Sequence, residues 1–265
     1  RQDRLRTVHQ HRVVAGEPRL GLGQPLGPGG RLRYIAHGAE AVLPLAQSWP
    51  LGPAAARLVR HTGYVAGPAA DPLPGAGGEV LVAVGGGDLG RRLLDCAAEA
   101  AVRSPHLWRL RVGGADAAAH ARALAARHPG ATMVAEPAAA DYRARLAAAA
   151  CSVSLAGYNT VMDLAPLTTP AVLVPDTTGG EREQAIRAAA LAGHPGIAVL
   201  ELEALTPAQL AETVEALAGR ARPPLPLALD GAERAAAALL ALALPERSPA
   251  ERSPAGRSPA ERSTA

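Results

Sequence analysis

Residues 151–175, CSVSLAGYNTVMDLAPLTTPAVLVP, followed by residues 181–188, EREQAIRA, decide the reading of this chain. The stretch reads as strand, glycine turn, helix start, strand, loop and helix. Gly157 lets the chain turn sharply after the strand-like run Cys151–Leu155. Tyr158, Asn159 and Thr160 open a helix, so free N–H groups and the positive end of its dipole face the turn. Such a terminus is a ready anion site. Asp163 stands at i+3 from Thr160, and both side chains share a helix face. A carboxylate accepts hydrogen bonds from two hydroxyls and repels anions, so it suits a ribose diol better than a phosphate. Asn159 is the only asparagine of the chain.

Outward from this stretch the same alternation continues. Strands are expected over residues 80–84, 107–112, 132–135, Cys151–Leu155, Ala171–Val174 and 197–200. Helices are expected over 88–101, Ala117–Arg127, 139–149, 159–164, 182–191, Pro207–Leu217 and 231–242. Residues 80–84 form a continuous apolar run, as in a strand buried on both faces. Leu89, Leu93, Leu94, Ala97, Ala98 and Ala101 give the next helix an apolar stripe, with Asp88 as its expected N-cap. Strands alternating with helices indicate an α/β fold with a doubly wound parallel sheet. Its ligands sit beyond the carboxyl ends of the strands, where both glycine turns fall.

The flanks read differently. Residues 16–30, GEPRLGLGQPLGPGG, have neither helical nor strand period, and irregular structure is expected over most of 1–50. A short helix is expected over 53–60, a short strand over 62–65 and a linker over 66–78. Residues 246–265 repeat ERSPA, ERSPA, GRSPA, ERSTA, with no apolar residue beyond alanine, and read as a disordered tail.

Composition narrows the function classes. The 265 residues contain no Lys and no Phe, so the net charge of +3 comes from arginine alone and the core must be Leu, Val and Ala. The arginines are scattered, without the aromatic-interleaved basic patch of single-strand binders, so no nucleic-acid partner is expected. Cys96 and Cys151 fall in apolar runs and read as small buried hydrophobes, in keeping with a reducing cytoplasm. No apolar run approaches the ~18 residues of a membrane span, and no signal peptide is recognised. The histidines are scattered without metal spacing, so no metal site is expected. No local Ser–His–Asp or Cys–His arrangement appears either, and the catalytic residue stays unassigned.

Two further motifs carry chemistry. Gly85, Gly86 and Gly87 end a buried strand and open a helix, which lets a diphosphate approach the backbone. The run is not read as a dinucleotide fingerprint, because it starts with three glycines and no acidic residue ends the next strand, LWRLRV. This disfavours a dehydrogenase. Gln184 offers an amide, donor and acceptor together, to sugar hydroxyls. Arg187, one turn on, either meets a phosphate or pairs with Glu183 at i+4.

With these residues in place, the chain resembles the C-terminal domain of glycosyltransferase family 28. That family has the GT-B fold and includes the lipid-linked N-acetylglucosaminyltransferase of peptidoglycan synthesis and related bacterial enzymes. The resemblance rests above all on SLAGYNTVMD (154–163), PAVLVP (170–175) and EREQAIRA (181–188). HTGYV (61–65) and VLVAVGGG (80–87) add to it. It covers roughly residues 61–217. It implies a UDP-sugar donor and transfer of a hexosyl group, with N-acetylglucosamine as one candidate, to an acceptor hydroxyl. The acceptor is unknown and lipid-linked acceptors are among the candidates, which implies a cytoplasmic protein with peripheral contact at the inner membrane face. No cofactor is implied.

By position, the resemblance gives Gly85–Gly87, Gly157 and Thr160 to the diphosphate and Asp163, in place of a more usual Glu, to the ribose. Gln184 would read the sugar, and backbone near Glu136 and Pro137 the base. Arg187 stands where the peptidoglycan enzyme has asparagine, which leaves the sugar open. In domain terms, residues 1–65 read as the remnant of an acceptor domain, 66–243 as the donor domain and 244–265 as the tail. A nucleotide-sugar-binding fragment without transfer, and a GT-B epimerase, are the alternatives.

Overall fold

The computed structural model describes residues 5–8, 33–39, 42–43, 45–48, 51–85, 87–178 and 182–243. The glycine- and proline-rich stretch 16–30, Gly86, Glu181 and the repeat tail 244–265 lie outside the described residues.

The first departure from expectation lies at the N-terminal side. Strands β1 (Leu5–Val8), β2 (Arg33–Ala36) and β3 (Val59–His61) form a three-stranded parallel sheet in that order. Helices α1 (Leu45–Ser48) and α2 (Pro53–Ala56) lie between β2 and β3. The helix expected over 53–60 stops at Ala56, because Val59, Arg60 and His61 pair with Tyr34, Ile35 and Ala36 of β2. Sheet pairing overrides a weak helical propensity here. The strand expected over 62–65 is therefore displaced to Val59–His61.

From residue 80 the chain follows the expected alternation. Its strands are β4 (Val80–Ala83), β5 (Trp108–Val112), β6 (Met133–Pro137), β7 (Cys151–Leu155), β8 (Ala171–Val174) and β9 (Ile197–Val199). All pair in parallel, in the order β6-β5-β4-β7-β8-β9. The order reverses between β4 and β7, the switch point at which doubly wound sheets open a crevice. Among the described residues, helices α3 (Asp88–Ala101), α4 (Ala117–Arg127), α5 (Tyr142–Ala148), α6 (Tyr158–Leu164), α7 (Glu183–Leu191), α8 (Pro207–Leu217) and α9 (Gly231–Ala243) accompany these strands.

Strand alternation divides the core in two. Val80, Val82, Trp108, Leu110, Cys151, Val153 and Val172 point to one face, where Leu93 and Leu94 of α3, Leu124 of α4 and Leu210 of α8 meet them. Leu81, Ala171 and Leu173 point to the other, against Leu146 of α5, Val161 and Leu164 of α6 and Ala188 of α7. Full burial of each such leucine contributes about 2 kcal/mol. Cys96 packs against the first cluster and Cys151 belongs to it, and both are free thiols.

On β5 the second face is not apolar. Arg109 and Arg111 alternate with Trp108, Leu110 and Val112 and turn away from the first cluster. Arg109 grips Glu79 with two hydrogen bonds of 2.7 Å and Glu136 with a third. Arg111 donates to Asp141 at 2.6 Å, and Arg145 of α5 reaches both Asp141 and Glu79. Three guanidinium and three carboxylate groups thus dock the first turns of α5 onto β5 and β6. Asp141 spends its side chain on these arginines and caps nothing, and α5 begins at Tyr142 rather than 139.

The two sheets are joined at one seam. Tyr64 N–H donates to the Ala228 carbonyl at 2.8 Å, Gly231 N–H donates to the Tyr64 carbonyl at 2.9 Å, and Val65 bridges Asp230. Gly63 sits there at φ 84°, and a Cβ on Gly231 would stand 2.5 Å from the Gly63 carbonyl oxygen. Both positions need glycine. Beyond the seam α9 brings Ala235 and Ala238 against Ile35 of β2.

Candidate functional site

The pairing of β4 with β7, with Ala83 opposite Ser154, sets the turn after β4 beside the turn after β7. Gly85 and Gly87 occupy the first and Gly157 the second, all at the carboxyl edge of the switch point. Gly87, not Asp88, is the N-cap of α3, and Asp88 is the acidic residue of its first turn. Gly157 caps α6, not Asn159 or Thr160. Neither helix start has a side-chain cap. α4, α5 and α7 likewise start without a side-chain cap, whereas α8 is capped by Thr206, whose Oγ1 accepts from Gln209 N–H at 3.2 Å.

The glycines of the crevice fall into two kinds. Gly157 has φ −64° and ψ 157°, a conformation any residue adopts, so the turn itself does not call for glycine. A Cβ at Gly85, Gly87 or Gly157 would meet no atom of the protein within 4 Å. Gly90 is different. Its Cβ would fall deep inside contact with the Gly85 carbonyl oxygen and press on Val84. Gly85, Gly87 and Gly90 do stand at G-x-G-x-x-G spacing, contrary to the reading of the run as off-pattern. Gly90 plays the part of the third glycine, letting the helix pack close to the strand.

α6 has only seven residues, too few for a strong dipole of its own, and is held at both ends from below. Arg187, 2% exposed, donates to the Ala156 carbonyl at 2.7 Å and lies 6.0 Å from the Tyr158 ring. Its Nη2 is 3.8 Å from Glu183, so of its two readings the i+4 pairing is the one this geometry contains. Arg222, also buried, donates to the carbonyls of Leu164 and Thr169, each at 2.7 Å. Burial lowers its pKa to about 10. Neither Arg222 nor the buried setting of Arg187 is legible in a sequence with arginines throughout.

The remaining polar residues sit on the same edge. Asn159 is exposed, and Thr160 and Asp163 are half-buried. Asp163 receives Nε of Arg143, on α5, at 2.9 Å. Burial raises the pKa of its carboxyl group, and the Arg143 charge and hydrogen bond work against that rise. Gln184, at the start of α7, accepts Asp176 N–H on Oε1 at 3.1 Å, which pins the loop after β8 and leaves its amide nitrogen for another partner. Tyr158 OH accepts Val65 N–H at 3.0 Å, and its ring lies 5.8 Å from that of Tyr64. Pro137, at the end of β6, has its carbonyl held by Arg111 at 3.3 Å.

Residues 88–230, just over half of the chain, match the family model described as the glycosyltransferase family 28 C-terminal domain. The chain belongs to glycosyltransferase family 28. Among solved structures, this family 28 chain is similar to the crystal structure of MurG from Acinetobacter baumannii, with 21% identity and a TM-score of 0.50. The match covers 74% of this chain and 63% of that one. It is similar also to the glycotransferase of kitacinnamycin, with 18% identity and a TM-score of 0.50, over 79% of this chain and 50% of the other. At these identities the likeness is one of fold, an α/β Rossmann-like architecture of the GT-B kind. The chain spans less than two thirds of the length of either protein. No curated protein matches it in sequence.

Among the described residues, no three or more His, Cys, Asp or Glu side chains gather where they could hold a metal ion. No helix among them is long and apolar enough to cross a membrane.

Proposed function

We propose that the crevice between β4 and β7 binds a UDP-sugar, and that the protein transfers the hexosyl group, N-acetylglucosamine being the first candidate, to an acceptor hydroxyl. One observation carries this reading. Gly85, Gly87 and Gly157 line the switch point where neither packing nor backbone geometry requires glycine. They leave open room next to two helix starts without side-chain caps. A diphosphate fits that space, because backbone N–H groups then replace its hydration shell.

In this reading the 14-residue α3 supplies the main helix terminus for the diphosphate. Gly157, Asn159 and Thr160 flank it from α6. Asp163 takes the ribose hydroxyls, and the Gln184 amide nitrogen reaches a hydroxyl of the sugar. Backbone near Glu136 and Pro137 faces the base. Arg187 acts from beneath, by fixing the Ala156 carbonyl and so the turn at Gly157. In transfer, the bond between sugar C1 and the diphosphate oxygen breaks, a bond from C1 to the acceptor oxygen forms, and the acceptor hydroxyl gives up its proton to the departing diphosphate or to solvent. Charge then builds on the departing UDP, where oriented N–H groups stabilise it without needing a metal. The acceptor, with lipid-linked alcohols as candidates, would enter from the side of the β1-β2-β3 sheet.

Calorimetric titration of the chain with UDP, UDP-N-acetylglucosamine, NAD and ADP tests this. Saturable binding of UDP and its sugar, but not NAD, is expected. The variant Asp163→Ala should bind UDP at least ~10-fold more weakly, as loss of charged hydrogen bonds worth about 1.5–3 kcal/mol implies, while keeping its thermal transition. Unchanged affinity removes Asp163 from the ribose role. NAD binding in place of UDP defeats the reading altogether.

A further inference from the structure

We infer that Arg143 is a positioning residue of the donor site, which aims the Asp163 carboxylate at the ribose and ties that aim to the segment joining the two sheets. The inference rests on the reading of Asp163 given above. Arg143 stands on the first turn of α5 and makes two polar contacts from one guanidinium. Its Nε lies 2.9 Å from Oδ1 of Asp163 on α6, and its Nη2 donates to the Pro68 carbonyl at 2.6 Å. A Cβ on Gly67 would stand 3.1 Å from Nη1, so the joining segment runs directly against the guanidinium. The same segment is held a second time by α6, where Tyr158 OH accepts Val65 N–H.

A carboxylate that must accept two ribose hydroxyls needs to be ionised and fixed in rotation. Asp163 is half-buried, which disfavours ionisation, and Arg143 opposes this by charge and hydrogen bond. By occupying only Oδ1 from the side of α5, Arg143 holds the carboxylate plane and leaves Oδ2 for a diol. The other titratable group acting on Asp163 is Tyr142, also on α5. Arg143 is itself fixed at Pro68, so a shift of the joining segment would be felt at the carboxylate.

The test compares wild type, Arg143→Met, Arg143→Lys, Asp163→Ala and the double variant Arg143→Met/Asp163→Ala. Each is titrated with UDP and with 2′-deoxy-UDP, and the carboxyl carbon of Asp163 is followed by NMR against pH. Arg143→Met should weaken UDP about 10-fold, cut the preference for UDP over the deoxy analogue, and add nothing on the Asp163→Ala background. Its Asp163 titration midpoint should rise. Arg143→Lys should recover the midpoint but only part of the affinity, since an ammonium cannot reach both Asp163 and Pro68. Equal loss for both nucleotides, adding fully to Asp163→Ala, would overturn the inference and make Arg143 a direct ligand. An unmoved midpoint would overturn it as well. If Asp163→Ala leaves UDP binding intact, the ribose reading falls first and the inference with it. That outcome is distinct, because the NMR midpoint would still respond to Arg143.

Discussion

The middle of the large sheet and its β5–β6 flank handle polar groups in opposite ways. At the flank, Arg109, Arg111 and Arg145 are matched to Glu79, Glu136 and Asp141 at 2.6–3.5 Å, so little is left for an outside partner. At the middle, between β4 and β7, two helices start without side-chain caps beside glycines that nothing crowds. A buried polar group left unmatched is costly. The flank therefore reads as structure held by charge, whereas Gly85, Gly87 and Asn159 of the crevice are exposed and leave its helix starts open to a partner from solvent.

The sharpest way to break this contrast is to fill the one crowded glycine of the crevice. Gly90→Ala forces a methyl group into the Gly85 carbonyl and should cost about 3 kcal/mol of stability, since overpacking against backbone has no soft escape. Chemical denaturation measures it, and UDP binding should fall as the turn shifts. The flank comes next. Arg109→Ala leaves Glu79 with only the 3.3 Å contact from Arg145 and should cost about 2 kcal/mol, less than for a fully dry pair. UDP affinity should change little by comparison.

The flank also sets an acid limit. Arg109 holds Glu79 below its ordinary value, chiefly by hydrogen bonding and against the effect of burial. A carboxyl group depressed in the folded state stabilises it fully above its unfolded pKa of about 4.3 and loses that contribution as pH falls through the folded value. Denaturation midpoints should therefore hold steady above pH ~4.5 and drop below it, and Arg109→Ala should flatten the drop. The smallest stability effect belongs to Gly87→Ala. Entropy gained and N-cap preference lost should nearly cancel, leaving stability within about 0.5 kcal/mol. UDP affinity, in contrast, should fall. If Gly90→Ala and Gly87→Ala behave alike, the distinction between crowded and open glycines fails.

Much of the fold was legible because the signals were local. Apolar runs at 80–84 and Ala171–Val174, closed by Gly85 and Pro175, mark strands buried on both faces, and Cys151–Leu155 joins them with Ser152 and Ser154 buried. Thr206 followed by Pro207 marks the start of α8, and the structure keeps both roles. The glycine turns were found, though for a conformational reason that Gly157 does not bear out. What escaped depends on residues far apart in sequence. β3 owes its existence to pairing with β2, and nothing in VRH announces that. The alternation Trp108-Arg109-Leu110-Arg111 carries the period of a strand with one charged face, but its carboxylate partners lie about 25–30 positions away. Arg143, Arg187 and Arg222 look like any others among the chain's arginines until the fold gives each a carbonyl to hold.

The seam at residues 63–65 and 228–231 has a mechanical meaning. The chain passes between the small sheet and the large one twice, and the two passages are bonded to each other where they cross. A single strand would act as a swivel. Two strands fastened side by side act as a door hinge, yielding to bending about their common line while resisting rotation and pulling apart. Any bending between the sheets is thereby steered along one arc.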